Sequence, residues 1–257
     1  MKVLVVSPGL AKRLSDILPD KIEVIYPGRG TDDELETLAV DVDVIVSTRL
    51  SASVARAAKS LKLLQKTGAG VDDMPFEALD DDTYMANTSG SNPVPLAEGA
   101  VALVLALAKR VVERNNRFLE GRGVGPGVLL KEKSAGILGL GSIGVEVAKM
   151  LRAFGMRILG FKRDPSVAPE GLDLDFLGGP GDLHRFMEES DFVVSTLPLT
   201  PDTRGMIGEE ELRLMKPTAY IVSVSRAAVI EEEPLYRALK EGWIAGAALD
   251  VWWVPHF

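Results

Sequence analysis

One stretch near the middle of the chain constrains its fold more than any other: three glycines, Gly139, Gly141 and Gly144, in the spacing G-x-G-x-x-G. The apolar run at 135–140 predicts a short buried strand before them, and apolar residues at three- and four-residue intervals predict a helix after them. In that context the spacing is typical of a turn that brings the pyrophosphate of a dinucleotide to a helix N-terminus. The alternative, a glycine-rich turn that serves packing alone, is less favoured because a second strand, 156–161, follows at the distance of a β-α-β unit.

The composition narrows the classes of protein to consider. The formal net charge is −8 and no basic cluster occurs, which disfavours nucleic acid as a partner. Cysteine is absent and only two histidines occur, so we expect no disulfide, zinc–thiolate or other metal site. The longest apolar run, 100–108, is too short to cross a bilayer and no signal peptide is evident, which predicts a soluble, cytoplasmic protein without a membrane partner. One Gln and four Asn are typical of a protein from a thermophile.

Residues 1–91 alternate strand-like and helix-like segments, which predicts a parallel sheet covered on both faces. The candidate strands are 2–6, 22–26, 42–47, 63–66 and 83–86. Ligands of such sheets lie at the carboxyl ends of the strands, where Arg49 follows the third strand and Gly68-Ala69-Gly70 follows the fourth. Taken alone, these residues are interpreted as a solvated surface charge and an ordinary turn.

Asn92 and the two prolines after it open a helix that the sequence predicts over 96–119. The centre of this helix, 100–108, is apolar on all sides, which predicts burial from every direction. We therefore expect the helix to lie between two domains and to contribute to a homodimer interface. The alternative is a monomer in which the rest of the chain covers the helix.

Residues 92–257 repeat the alternation and predict a doubly wound parallel sheet with strand order 3-2-1-4-5-6. The candidate strands are 135–140, 156–161, 172–177, 191–197, 219–224 and 244–249, and the candidate helices between them are 145–154, 182–188, 209–215 and 232–241. Seven residues just past these strands are expected at the edge where a dinucleotide would lie: Lys162, Arg163, Thr196, Pro198, Ser225, Arg226 and Asp250.

Six motifs occur in order along the chain: Thr-Gly-Ala-Gly-Val-Asp at 67–72, Asn92 with Ala97-Glu98, the glycine turn at 139–144, Leu-Pro-Leu-Thr-Pro-Asp-Thr at 197–203, Val-Ser-Val-Ser-Arg at 222–226, and Ala-Gly-Ala-Ala-Leu-Asp-Val at 245–251. Together they resemble the D-isomer-specific 2-hydroxyacid dehydrogenases, whose relatives include phosphoglycerate, glyoxylate/hydroxypyruvate and NAD-dependent formate dehydrogenases. The resemblance implies an α/β protein in which a flavodoxin-like substrate domain, 1–91, is joined to a Rossmann domain, 92–257. It also implies hydride transfer between NAD(P)(H) and a small 2-oxo or 2-hydroxy acid of the glyoxylate, hydroxypyruvate or phosphoglycerate type.

The resemblance further implies a set of site residues. The backbone N–H groups of Ala69 and Gly70 would hold the substrate carboxylate, with Arg49 and Asn92 beside them, and Arg226 would be the catalytic arginine. A guanidinium fork suits that role because it binds a carboxylate and polarises a keto oxygen. The residues implied in cofactor binding are Gly139, Gly141, Ser142, Ile143, Gly144, Lys162, Arg163, Thr196, Pro198, Thr203, Val224, Ser225 and Asp250.

The end of the second strand of the Rossmann unit bears on the choice of cofactor. NAD-preferring sites place an acidic residue there to bind the ribose 2′-hydroxyl. In this chain the position is Lys162, followed by Arg163, and two cations suit a 2′-phosphate. We therefore predict NADP as the preferred cofactor, and Asp164, two residues on, leaves NAD as the alternative.

The chain departs from the family pattern near its end. The resemblance implies an acid–base histidine beyond Asp250 and a carboxylate partner near Pro255, but His256 comes too early and no Asp or Glu follows Asp250. We therefore expect a C-terminally truncated chain with impaired activity, and we expect His184 on the surface of a helix. One alternative function is a cofactor-binding or regulatory module. A second is a formate dehydrogenase-like enzyme, because the two tryptophans ending at Trp253 resemble that branch, although core packing explains such aromatic residues equally.

Overall fold

The computed structural model of the protein describes residues 1–7, 9–28, 30–123 and 125–253. The chain divides into two compact units, Met1–Ser91 and Asn92–Phe257. Assignment of the first unit to the substrate and of the second to the cofactor stays a prediction. Across the described residues, no helix combines the length and the apolar character that a membrane span requires.

The first unit is built on a five-stranded parallel sheet. Its strands are Lys2–Val5 (β1), Glu23–Ile25 (β2), Val44–Ser47 (β3), Leu63–Lys66 (β4) and Tyr84–Ala86 (β5), and its helices are Leu10–Ile17 (α1), Asp32–Ala39 (α2) and Ala52–Ala57 (α3), with a 3₁₀ turn at Phe76–Ala78. The strand order β2-β1-β3-β4-β5 is that of flavodoxin-like sheets. The predicted parallel α/β fold of this unit is confirmed.

Alternate residues of the central strands face opposite sides of the sheet in the first unit. Leu4, Ile45 and Leu64 are fully buried in one apolar cluster, whereas Val3 and Val5 of β1 belong to a cluster on the other face. This two-sided burial explains why the strands read as nearly continuous apolar runs. Because the strands are parallel, their carboxyl ends meet at one edge.

The second unit is built on a six-stranded parallel sheet. Its helices and strands, in chain order, are Pro93–Ala108 (α4), Val111–Leu119 (α5), Ser134–Leu138 (β6), Ser142–Ala153 (α6), Arg157–Phe161 (β7), Phe176–Gly178 (β8), Leu183–Glu189 (α7), Phe192–Ser195 (β9), Glu209–Leu214 (α8), Tyr220–Ser223 (β10), Glu232–Glu241 (α9) and Gly246–Leu249 (β11), with 3₁₀ turns at Pro180–Asp182 and Ala227–Val229. The strand order β8-β7-β6-β9-β10-β11 is the 3-2-1-4-5-6 order of a Rossmann fold. The predicted doubly wound sheet is confirmed.

Two apolar clusters cover the two faces of this sheet. One cluster joins β6, β9 and β10 to helices α4 and α6, and the other joins the opposite faces of the strands to α7, α8 and α9. All five residues of β6 are buried. The glycine turn therefore leaves the sheet from a strand that is buried along its whole length.

The single helix predicted over 96–119 is wrong. Helix α4 ends at Ala108, Arg110 adopts a left-handed backbone conformation with φ 53°, and α5 begins at Val111. The carbonyl of Ala108 accepts a hydrogen bond of 2.7 Å from the N–H of Val128 instead of continuing the helical ladder. A Cβ at Gly127 would lie 2.6 Å from that carbonyl oxygen, so the close approach requires glycine.

Burial of the apolar stretch 100–108 from every side is also wrong within one chain. Ala100, Val104 and Ala108 are fully buried, but Ala102 on the opposite face is exposed. Four neighbours, Leu103, Leu105, Ala106 and Leu107, are half-buried. Helix α4 thus packs on the sheet and on α6 along one face, and the described residues cover the other face only in part.

The strand predicted at 172–177 is shorter and begins later, at Phe176. Just before this strand, hydrogen bonds that involve the side chains of Asp175 and Arg152 take the place of a regular strand pairing. The Oδ2 atom of Asp175 accepts a hydrogen bond from the N–H of Ile158 and lies 2.9 Å from Nη2 of Arg152. The same Nη2 donates to the carbonyl of Asp173.

Candidate functional site

The glycine turn combines one tight position with one open position. Gly139 has φ 102°, a conformation that side chains of L-residues rarely adopt. A Cβ at Gly144 would overlap with the carbonyl oxygen of Gly139, whereas a Cβ at Gly141 would meet no heavy atom within 4 Å. The turn is therefore closed toward the sheet and open at Gly141, where a pyrophosphate needs space, and it fits a dinucleotide.

The open side of the turn coincides with the start of α6. Gly141 is the N-cap residue of this 12-residue helix, and Ser142 and Ile143 form its first turn. The first N–H groups of a helix have no intrahelical acceptor, and the N-terminal end of the helix dipole is positive. No acidic residue occurs in this first turn. The local electrostatics therefore favour an anion beside Ser142, which is solvent-exposed.

Thr196, just past β9, braces the turn from the neighbouring strand. Its hydroxyl donates a hydrogen bond of 2.6 Å to the carbonyl of Gly139, and its N–H donates to the carbonyl of Leu138. The loop that follows is closed by Thr203, whose hydroxyl donates to the carbonyl of Pro198 and accepts from the N–H of Thr200. Thr203 is 8% exposed, so its hydroxyl stabilises the loop. Its predicted contact with a cofactor stays a prediction.

The ends of β10 and β11 lie along the same edge. Ser225 is buried, and its Oγ lies 3.1 Å from Oγ of Ser195. Val224, between the sheet and Ser225, is half-buried. Arg226 is half-buried and donates from Nη1 to the carbonyl of Ser225 at the start of the 3₁₀ turn. Asp250 is exposed, and its N–H donates to the carbonyl of Ser223.

The two cations predicted to bind a 2′-phosphate have different surroundings at the end of β7. Lys162 is half-buried, and its Nζ donates to the carbonyl of Val167, 2.7 Å away in the turn that follows. Arg163 is exposed. Two hydrogen bonds from Ser166, from its hydroxyl and its N–H, hold the pKa of the Asp164 carboxyl below its ordinary value. A full negative charge at Asp164 therefore stands two residues from Lys162.

In the first unit, Arg49 and the glycine-rich loop after β4 lie at the carboxyl end of the sheet. The Arg49 side chain is 81% exposed, and its Nε lies 3.7 Å from Oδ2 of Asp73. The carbonyl of Gly68 accepts from the N–H of Thr88, and the carbonyl of Ala69 accepts from Nδ2 of Asn87. These bonds fix the carbonyl side of the loop.

The amide side of that loop stays open. Ala69 is exposed and Gly70 is half-buried, and neither N–H group has a hydrogen-bond acceptor among the described residues. Asn92 belongs to the second unit, where it is the exposed N-cap residue of α4. The loop can therefore accept a carboxylate on the backbone N–H groups of Ala69 and Gly70.

Reasoning from the sequence missed a buried lysine beneath this loop. Lys66, the last residue of β4, is 4% exposed. A chain of hydroxyl groups also crosses the strand ends: Oγ1 of Thr48 lies 3.1 Å from Oγ of Ser7 and 2.9 Å from Oγ1 of Thr67. A lysine directly before a Thr-Gly-Ala-Gly turn was the available sequence signal, but lysine usually points to solvent.

Three remaining predictions concern histidine and tryptophan. His184 lies on α7 and is 54% exposed, as expected, with Nε2 3.6 Å from Oε1 of Glu210 and 3.8 Å from Oε1 of Glu211. We interpret these three side chains, which metals could also use, as a surface charge cluster. Trp253 packs at the edge of the apolar core and donates from Nε1 to the carbonyl of Ile230, which supports core packing for this residue. Pro255 and His256 lie outside the described residues.

Comparisons with known proteins agree with this geometry. The family model described as D-isomer specific 2-hydroxyacid dehydrogenase, NAD binding domain, matches residues 101–256. A glyoxylate reductase from Korarchaeum cryptofilum is 40% identical over 222 residues, which cover 82% of this chain and 66% of the relative. A D-3-phosphoglycerate dehydrogenase from Methanocaldococcus jannaschii is 35% identical over 258 residues, which cover 98% of this chain and 49% of the relative.

A solved structure of a glyoxylate reductase shows the same fold. A glyoxylate reductase from Paecilomyes thermophila superposes with a TM-score of 0.84 at 28% identity, and the match covers 99% of this chain and 82% of the other. The chain spans about half the length of the phosphoglycerate dehydrogenase and about two thirds of the length of the archaeal glyoxylate reductase. The chain belongs to the D-isomer-specific 2-hydroxyacid dehydrogenase family and includes its NAD-binding domain.

Proposed function

We propose that the chain carries the cofactor site and the carboxylate-binding groups of an oxidoreductase that transfers a hydride between NAD(P)(H) and a small 2-hydroxy or 2-oxo acid. The observation that carries the proposal is the glycine turn, which is closed at Gly144 and open at Gly141 beside the N-terminus of α6. The names of the relatives, glyoxylate reductase and D-3-phosphoglycerate dehydrogenase, support a substrate of the glyoxylate or phosphoglycerate type. Hydroxypyruvate belongs to the same proposal by the family resemblance alone.

The residues of the second unit would hold the cofactor in this proposal. The N–H groups of Ser142 and Ile143 bind the pyrophosphate, and Thr196 keeps the turn in place through Gly139. When bound, the reduced nicotinamide supplies the hydride. By resemblance, Val224 and Asp250 lie toward the nicotinamide end, and Pro198, Thr203 and Ser225 shape the edge around it.

Arg226 and the loop of the first unit would bind the substrate. The guanidinium of Arg226 holds the carboxylate and stabilises the negative charge that develops on the keto oxygen as hydride reaches the carbon. The N–H groups of Ala69 and Gly70 bind the carboxylate oxygens, with Arg49 and Asn92 nearby by resemblance. These roles need no change in the charge of any of the groups.

A cofactor-binding protein with little turnover is the second candidate function. Reduction of a keto acid needs a proton for the oxygen, and histidine suits this task because its charge changes near neutral pH. Among the described residues His184 is the sole histidine, and it contacts Glu210 and Glu211 on the surface. A general acid contributes ~10²–10⁴-fold to such a reaction.

NADP(H) is the proposed preferred cofactor, with NAD(H) as the alternative. The exposed guanidinium of Arg163 supports the preference because it suits a 2′-phosphate. The hydrogen bond of Lys162 to Val167 and the charge on Asp164 weaken it. A cytoplasmic location and a homodimer belong to the same proposal, the dimer because one face of α4 is only partly covered.

The proposed function is tested by binding and turnover on the full 257-residue chain. We expect NADPH to bind, more tightly than NADH, when each is titrated in the calorimeter, and we expect R163A to reduce that difference, with K149A on the exposed face of α6 as the matched control. Oxidation of each cofactor is then followed with glyoxylate, hydroxypyruvate and pyruvate, and NAD(P) reduction with formate. Failure of both cofactors to bind would overturn the proposal, and equal or tighter NADH binding would overturn the NADP preference.

Turnover separates the proposed oxidoreductase from its two alternatives. Slow but measurable oxidation with a 2-oxo acid, abolished by R226Q, supports the oxidoreductase. Cofactor binding with no turnover of any acid supports the binding module, and turnover with formate alone supports the formate dehydrogenase-like alternative.

A further inference from the structure

Lys66 is the feature of the first unit that the proposed function does not use. Its side chain is 5% exposed, and no other lysine, arginine, aspartate or glutamate among the described residues is buried. Burial of a charge is costly unless hydrogen bonds and an opposite charge replace the lost water. The buried ammonium of Lys66, at the carboxyl end of β4, therefore needs hydrogen-bond acceptors and an opposite charge close by.

The ammonium group has two such partners, one on each of two loops. Its Nζ donates 2.6 Å hydrogen bonds to the carbonyl of Thr48, which follows β3, and to Oδ1 of Asp73, which follows the glycine-rich loop. The other carboxylate oxygen of Asp73 lies 3.7 Å from Nε of Arg49. One buried charge thus links both loops and, through Asp73, reaches the exposed Arg49.

The stem of Lys66 lies under the loop as well. A Cβ at Gly68 would lie 3.8 Å from Cε of Lys66, which is ordinary van der Waals contact. Above the stem, the carbonyls of Gly68 and Ala69 are held by Thr88 and Asn87. With the loop supported from below and held at its carbonyls, the N–H groups of Ala69 and Gly70 keep one orientation.

We propose that Lys66 is a positioning residue that holds the backbone N–H groups of Ala69 and Gly70, and the Arg49 guanidinium, in place for the carboxylate of a 2-oxo acid. This rests on the proposed function of the same loop. We assign Lys66 no direct contact with the acid, because its side chain is only 5% exposed and two of the three N–H donors of Nζ are engaged by Thr48 and Asp73. Without the hydrogen bonds from Lys66 to Thr48 and Asp73, the loop samples other orientations. Binding of the carboxylate must then order the loop, which weakens the affinity.

The experiment compares K66M with K62M. Lys62 precedes the same strand at its other end and forms an exposed ion pair with Asp43, so K62M is the matched control. With saturating oxidised cofactor, we expect K66M to weaken the binding of oxalate about tenfold by calorimetry, the change typical of a lost charge-assisted contact, and K62M to leave it unchanged. K66R should recover part of the affinity because a guanidinium can also reach two acceptors.

Two further measurements separate positioning from stability. D73N leaves a buried lysine without its counter-charge and should lower the Tm most, while the double variant K66M/D73N should regain Tm without regaining oxalate affinity. The N–H groups of Thr67 and Thr88 donate hydrogen bonds to the carbonyls of Ser47 and Gly68, respectively. Hydrogen exchange at these two amides should be faster in K66M and unchanged in K62M.

The results distinguish a failure of the positioning role of Lys66 from a failure of the proposed carboxylate-binding function of the loop. Wild-type oxalate affinity in K66M, or affinity that simply follows Tm across the variants, would overturn the positioning role. If the wild-type chain itself does not bind oxalate, the proposed function of the loop fails. The exchange contrast at Thr67 and Thr88 then decides alone whether Lys66 holds the loop, and equal exchange in K66M and K62M would overturn that as well.

Discussion

At the scale of single residues, Gly141 and Gly144 belong to one turn but should respond oppositely to the same substitution. G144A adds a methyl group against the carbonyl of Gly139 and within 2.9 Å of Oγ1 of Thr196. We expect a loss of about 1–3 kcal/mol of stability, because a backbone neighbour cannot move aside cheaply. G141A meets no heavy atom within 4 Å and should keep the wild-type Tm.

The cofactor affinity of the two variants completes this prediction. The methyl group of G141A stands where the pyrophosphate would approach, so NADPH should bind at least tenfold more weakly, about 1.4 kcal/mol. Thermal unfolding and calorimetric titration measure both quantities. Wild-type NADPH affinity in G141A would show that the open side of the turn is not the phosphate site.

At the scale of secondary structure, α5 is a short helix with an exposed apolar stripe. Val111, Val112, Phe118 and Leu119 are 52%, 67%, 80% and 76% exposed, and their seven-residue spacings put them on one side of the helix. None of the nine residues of α5 is buried. Together with the partly covered face of α4, this stripe forms an exposed apolar surface of the kind that marks a protein–protein interface.

We expect the chain to form a homodimer through this stripe. Light scattering at micromolar concentration should give about twice the chain mass of 27.6 kDa. The variant V112E/F118E should give the monomer mass, because two carboxylates cannot be buried in an apolar interface. F76E, at a similarly exposed aromatic residue of the first unit, is the matched control and should stay dimeric. A monomeric wild-type chain would contradict the prediction.

At the scale of the whole molecule, several carboxyl groups make the stability of the fold depend on pH in the acidic range. Burial raises the pKa of Asp175, but the N–H of Ile158 and the guanidinium of Arg152 together outweigh it and hold that pKa below its ordinary value. The N–H of Lys2 lowers the pKa of Asp43, and Arg213 lowers the pKa of Glu209. A lowered pKa in the folded state means stability that is present above the ordinary pKa and is lost as pH falls through the folded value.

We therefore expect Tm to stay level through neutral pH and to fall below about pH 4, where these carboxylates take up protons. D175N should be less stable than the wild type at pH 7, and the gap between them should close as the pH approaches 2.5. D80N, at an exposed aspartate, is the control and should follow the wild type at every pH. A gap between D175N and the wild type that stays constant from pH 7 to pH 2.5 would contradict the assignment.

The amino-acid sequence by itself predicted a parallel sheet in each unit and, for the second unit, the order of the strands. Short apolar runs, the alternation of two periodicities and the glycine spacing at 139–144 are local signals, and parallel β-α-β units allow few topologies. The same signals located the glycine turn and the residues that follow the strands, because a strand end and its edge of the sheet go together. They could not show that the hydroxyl of Thr203 also holds its own loop together through the carbonyl of Pro198.

Only the tertiary structure decided the features that depend on partners far apart along the chain. Helix α4 ends at Ala108 because the N–H of Val128 takes its last carbonyl, and no pattern within 96–119 contains that information. Lys66 is buried because Thr48 and Asp73 meet it from two other loops. Periodicity records which face of an element is apolar, whereas a hydrogen bond between distant segments is formed only when the fold brings them together.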